Sequence, residues 1–209
     1  MKDFFSWIAE AKPLRPWLIV GKGPTFARRT EANLAHYNVI GLNHIVREIP
    51  VQLAHIIDID VVGELGPAIR NAGMVVMPLH PHVNFNATPR PLDAFFGEYP
   101  VLKELDRDGL LLWYNLSTWP HTARRESPIV AVKYFSAEAA VRLLAMAGVK
   151  KIRTLGIDGG SAYADEFKDI KPFRGGHTSF DLQWESIRAT VKEFKIDFAP
   201  LFTLEENRT

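Results

Sequence analysis

The chain has 209 residues with 14 glycines, 14 prolines, 47% hydrophobic and 23% charged residues, enough apolar content to bury a core in one domain and too much for a disordered or fibrous protein. Twenty-five Lys and Arg against 24 Asp and Glu leave a formal charge of +1, so there is no basic excess to attract nucleic acid. The absence of cysteine excludes disulfides, thiolate metal sites and thiol nucleophiles, and a cytoplasmic location is the expectation.

At the start, Phe4, Phe5, Trp7 and Ile8 beside Lys2, Lys12 and Arg15 read as a first helix packed on the domain. The alternative is a short peripheral contact with the inner membrane surface. The segment lacks the apolar run and cleavage site of a signal peptide. Trp17–Val20 reads as a strand, followed by a glycine turn and a helix from Pro24 to Ala35. Residues 38–42, 53–57 and 73–77 read as further short buried strands, which with intervening helices predict a mostly parallel, Rossmann-like α/β sheet with helices on both faces. From Pro78 to Pro100 the chain is proline-rich, with His80, His82 and aromatics at no stable period. It predicts a long loop, and 78–126 as a whole reads as a lid-like insertion in a single domain. A strand at 110–114, a helix at 136–147 closed by Gly148, and a strand at 151–157 follow. Phe180, Trp184, Ile187, Val191 and Phe194 then form one apolar stripe at helical spacing, expected to face the sheet. Thr178 and Asp181 make a capping pair that places His177 just outside the helix, and 196–201 is the last strand.

Gly21, Lys22, Gly23, Pro24 and Thr25 lie between a strand and a helix, where backbone N–H groups can meet a phosphate. Phe26 stands where a dinucleotide fingerprint needs its third glycine, and no Gly-Lys-Ser/Thr closes a Walker loop. Asn43, Asp58 and Asp158 follow strand ends, which line the ligand crevice of an open parallel sheet, and Gly156, Ser161 and Tyr163 flank Asp158. The competing reading of each is an ordinary turn or capping residue. Between Gly175–Gly176 and a helix start, His177 has the setting of a general base, because the helix dipole favours neutral imidazole. His80 and His82 without a companion carboxylate pattern make a weak metal signal, and no Gly-x-Ser-x-Gly elbow supports a serine hydrolase.

Taken together, these residues resemble the bacterial sialyltransferases of glycosyltransferase family 42 and, more loosely, the related domain-of-unknown-function 115 proteins. The family's Gly-Asn-Gly-Pro-Ser is similar to Gly21-Lys-Gly-Pro-Thr25, and its Cys-Asn strand end to Leu42-Asn43. Its serine, alanine-rich helix and Ser-Gly-Ile-Asp strand end resemble Ser136, Met146-Ala-Gly148 and Leu155-Gly-Ile-Asp158. Its Gly-Ser-Ser-Tyr-Ala resembles Gly160-Ser-Ala-Tyr-Ala164, and its His-Ser resembles His177-Thr178.

The resemblance implies a metal-independent, inverting transfer of a sialic-acid-type sugar from a CMP-activated donor to a glycan hydroxyl. The CMP-sugar would be a co-substrate and no cofactor is implied. On that model His177 takes the acceptor's proton, Tyr163 binds the leaving phosphate, Ser136 and Asn43 contact nucleotide or donor, and the turn at 21–25 underlies CMP. Lys22 departs from the family's Asn, Asp58 from another Asn, and Gly160 lies near where a second phosphate-binding tyrosine is expected. The rival readings are an ATP- and magnesium-dependent diphosphokinase of the pterin type, with Asp58 and Asp60 on the metal, and a nucleotide-binding module without turnover. A homo-oligomer is compatible with either.

Overall fold

The runs Trp17–Val20 and Leu111–Leu116 have no alternating polar face, and every residue in both is buried, as strands covered on both sides require. The computed structural model describes residues 1–83, 88–170 and 177–204. Along these the elements are β1 (Lys2–Asp3), α1 (Phe4–Ala11), β2 (Trp17–Val20), β3 (Asn38–Leu42), β4 (Val51–His55), α2 (Ile59–Leu65) and β5 (Ala72–Pro78). They continue with α3 (Pro100–Arg107), β6 (Leu111–Leu116), β7 (Ile129–Val130), α4 (Ser136–Met146), β8 (Lys151–Leu155), α5 (Gln183–Phe194) and β9 (Asp197–Pro200).

The chain forms two units interleaved in sequence. The first, Met1–Leu14 with Ile40–Val132, holds neighbouring strands in the order β1, β6, β5, β4, β3, with β7 beside the end of β6, all parallel. Leu42 lies opposite His55, and His55 opposite Val76, so the chain leaves β3 and β4 at the same end. In the second unit, Arg15–Val39 with Lys133–Thr209, the order β2, β8, β9 is again parallel, with Val20 opposite Leu155. The fold is therefore α/β with parallel strands, as the short apolar runs predict. No described helix is long and apolar enough to cross a membrane.

Several boundaries differ from the sequence expectation for local reasons. β8 stops at Leu155 rather than 157, because Gly156 turns to φ +67° and leaves the extended conformation. The helix expected over 24–35 is a 3₁₀ helix at Pro24–Glu31 and a second at Leu34–His36. Thr25 and Thr30 weaken the α-helical alternative there. The cap before the last helix is Ser179, whose hydroxyl accepts from the Asp181 amide at 3.0 Å, and not Thr178. A 3₁₀ turn at Phe180–Leu182 then precedes α5.

The stripe on α5 also needs correction. The buried positions are Gln183, Ile187 and Thr190, and α5 packs on α4, where Arg142 reaches Glu193 at 2.9 Å and Thr190 at 3.4 Å. Of the predicted stripe only Ile187 is fully buried, so periodicity located the helix but neither its buried face nor the neighbour that receives it. The alanine-rich face of α4 permits the close approach.

Candidate functional site

In the second unit, the turn after β2 and the turn after β8 are zipped together. The Gly21 amide donates to the Leu155 carbonyl and the Gly23 amide to the Gly156 carbonyl, both at 2.8 Å. Asp158 accepts from the Thr25 amide at 2.7 Å and from the Thr25 hydroxyl at 2.6 Å, while that hydroxyl accepts from the Gly156 amide at 2.9 Å. Gly23 is required by this closeness, since a Cβ there would sit 2.6 Å from Asp158 Oδ2. The glycines thus make room for the facing turn, and the amides of Gly21, Gly23, Thr25 and Phe26 are already bonded within the protein. The turn also carries the Lys22 side chain.

The Ala164 amide donates to the Lys22 carbonyl at 2.8 Å, which brings the loop carrying Tyr163 against the turn, and Lys22 Nζ lies 4.5 Å from the Tyr163 ring centroid. That is cation–π distance. Tyr163 stacks on Phe180 at 5.6 Å, Phe180 meets Phe135 at 5.0 Å, and Phe135 meets the His177 imidazole at 6.1 Å. Tyr134 stands perpendicular to that imidazole at 5.1 Å. Lys22, Tyr163 and His177 are therefore linked through one chain of rings. Gly160 is fastened to the same region: its amide donates to Asp181 at 3.0 Å and its carbonyl accepts from the Phe180 amide at 2.7 Å. These bonds from Ser179 and Gly160 hold the Asp181 carboxyl below its ordinary range.

His177 precedes the Ser179 cap by two residues, and α5 begins only at Gln183, so the helix dipole, which fades within a turn, is a weaker influence than expected. Gly175 and Gly176, read as giving substrate room beside it, lie outside the described residues. Ser136 is the first residue of α4, and Ser161 is exposed on the loop before Tyr163. Sequence reasoning missed Tyr134, Phe135 and Glu138, and it read Phe180 only as part of the last helix's apolar stripe. The cluster Lys133-Tyr-Phe just ahead of the Ser136 helix start was the available signal.

In the first unit, Asn43 and Asp58 follow the carboxyl ends of adjacent strands β3 and β4. Asn43 has φ +52°, a conformation Asn tolerates better than most residues, and its Oδ1 is buried with no hydrogen-bond partner. A buried acceptor without a donor at a strand end is suited to receive one from a ligand. Asp58 is engaged: its Oδ1 lies 3.5 Å from His82 Nδ1, and His82 Nε2 lies 2.8 Å from the Thr118 hydroxyl. Behind it, His55 bonds the Tyr114 hydroxyl at 2.9 Å, and burial pushes this imidazole down to about 3 against the opposing pull of Asp58. Among the described residues, no group of three or more His, Asp and Glu side chains is arranged to hold a metal ion.

No protein-family model matches the chain, and no curated protein sequence does. Solved structures do match. The sialyltransferase CstII from Campylobacter jejuni, in complex with the substrate analogue CMP-3FNeuAc, is 13% identical with a TM-score of 0.50, over 90% of this chain and 81% of that one. The monofunctional alpha-2,3-sialyltransferase Cst-I from Campylobacter jejuni is 14% identical with a TM-score of 0.48, over 88% of this chain and 74% of that one. The first of these likenesses shows that the chain has the α/β fold of that enzyme.

Proposed function

We propose that the protein is a glycosyltransferase that moves a sialic-acid-type sugar from a CMP-activated donor to a glycan hydroxyl. The observation that carries this reading is the chain of rings joining Lys22, Tyr163 and His177 within one unit. The CstII complex described above holds a CMP-sugar analogue, which supports the choice of donor.

In the proposed step the acceptor oxygen attacks the anomeric carbon as the bond to the CMP phosphate breaks. The His177 imidazole takes the acceptor's proton, and a single displacement inverts the anomeric centre. Negative charge grows on the departing phosphate, where the Tyr163 phenol donates a hydrogen bond and the Lys22 ammonium supplies a positive charge. Lys22 thereby offsets the phenol absent at Gly160. The zipped turns of Gly21–Thr25 and Gly156–Asp158 form the rigid base of the donor site.

CMP raises the melting temperature, and magnesium adds nothing to its effect. At a hundredfold excess over Kd the stabilisation is about 2.7 kcal/mol. A panel of CMP, CDP, UDP, GDP and ATP, each with magnesium or EDTA, reads this directly. Stabilisation by ATP with magnesium and none by CMP would favour the diphosphokinase.

A further inference from the structure

A base that must accept a proton from a bound hydroxyl needs its ring held in one orientation, and in the Ser-His-Asp triad a carboxylate on the second nitrogen does this. His177 is held differently. Among the described residues it makes no hydrogen bond or ion pair, and its neighbours are two rings nearly perpendicular to its own, Tyr134 at 5.1 Å and 85° and Phe135 at 6.1 Å and 78°. Edge-to-face contacts of this kind are directional as well as apolar.

The two rings are themselves fixed from below. Glu138, with 3% of its surface exposed, accepts from the backbone amides of Lys133 at 3.1 Å, Tyr134 at 3.4 Å and Phe135 at 2.9 Å. A buried carboxylate spent on three consecutive amides locks the strand-like approach to α4, and with it the direction in which both side chains leave the backbone. Phe135 is braced further by Phe180 at 5.0 Å.

We propose that Tyr134 and Phe135 are positioning residues: an aromatic clasp, anchored by Glu138, that orients the His177 imidazole in place of a carboxylate partner. This rests on His177 being the base of the transfer proposed above.

The test uses the full chain with Tyr134→Leu and Phe135→Leu, the conservative Tyr134→Phe and Phe135→Tyr, and His177→Ala as reference. The proton NMR signal of the His177 Cε1–H, assigned by its loss in His177→Ala, reports the ring currents of its neighbours whether or not the protein is active. Each leucine variant moves that signal toward the position of an exposed histidine. It also lowers kcat for transfer from CMP-sialic acid by about 10- to 100-fold, the scale of a misplaced reacting group, with donor KM within about twofold. The conservative variants restore both. An unmoved signal overturns the clasp, and a moved signal with unchanged kcat overturns its positioning role. If His177→Ala itself transfers normally, the functional reading fails, and the NMR shift alone decides whether the clasp exists.

Discussion

Replacing His177 with alanine lowers transfer from CMP-sialic acid by about 10²- to 10⁴-fold, the usual cost of removing a positioned base. CMP affinity stays within about twofold, because the imidazole lies at the far end of the ring chain from Lys22, past Phe135, Phe180 and Tyr163. A loss confined to kcat marks an interaction made only in the transition state. Single-turnover rates and CMP titrations on the same preparation separate the two effects. A variant within about threefold of the parent, far short of the loss expected for a base, would remove His177 from the mechanism.

Gly156→Ala destabilises the protein through the locked turns. Its φ of +67° strains any other residue, and a Cβ would lie 2.7 Å from the Gly21 carbonyl carbon and 3.3 Å from the Gly23 amide nitrogen, backbone atoms that cannot rotate away. The dihedral costs about 1–2 kcal/mol and the overlap about 1–3 kcal/mol more. Gly160→Ala isolates the first effect: its φ is +64°, but nothing lies within 4 Å of the added carbon. Urea unfolding should therefore show about 1–2 kcal/mol lost at Gly160 and about 2–5 kcal/mol at Gly156. Equal losses would mean that the two turns are not locked as described.

The parallel strands were legible because runs such as Trp17–Val20 are short, apolar and bounded by turn residues, and the turn at Gly21–Thr25 announced itself by spacing. What those glycines accomplish was not legible. The glycines of the Gly21–Thr25 turn read as an approach to a phosphate, yet Gly23 faces the turn after β8, and Asp158 spends both oxygens on Thr25. That partnership spans 133 positions in sequence, and no local pattern reveals it.

His177 was singled out for its glycines and a helix dipole, whereas the rings of Tyr134 and Phe135 dominate its described surroundings. Both lie more than 40 positions earlier, and no local pattern links them to His177. Glu138 falls inside the helix expected over 136–147, and only its burial under three amides reveals what it fixes.

The central claim is that this site breaks the bond between CMP and a sugar without a metal. Incubating the protein with CMP-sialic acid in EDTA, with a panel of glycan acceptors and with ATP and magnesium in a parallel arm, measures this directly by chromatography of the nucleotides. The account predicts release of CMP with an equal amount of sialylated glycan, undiminished by EDTA, and no AMP from ATP. Intact CMP-sialic acid in every arm, with AMP appearing only where ATP and magnesium are present, would contradict it.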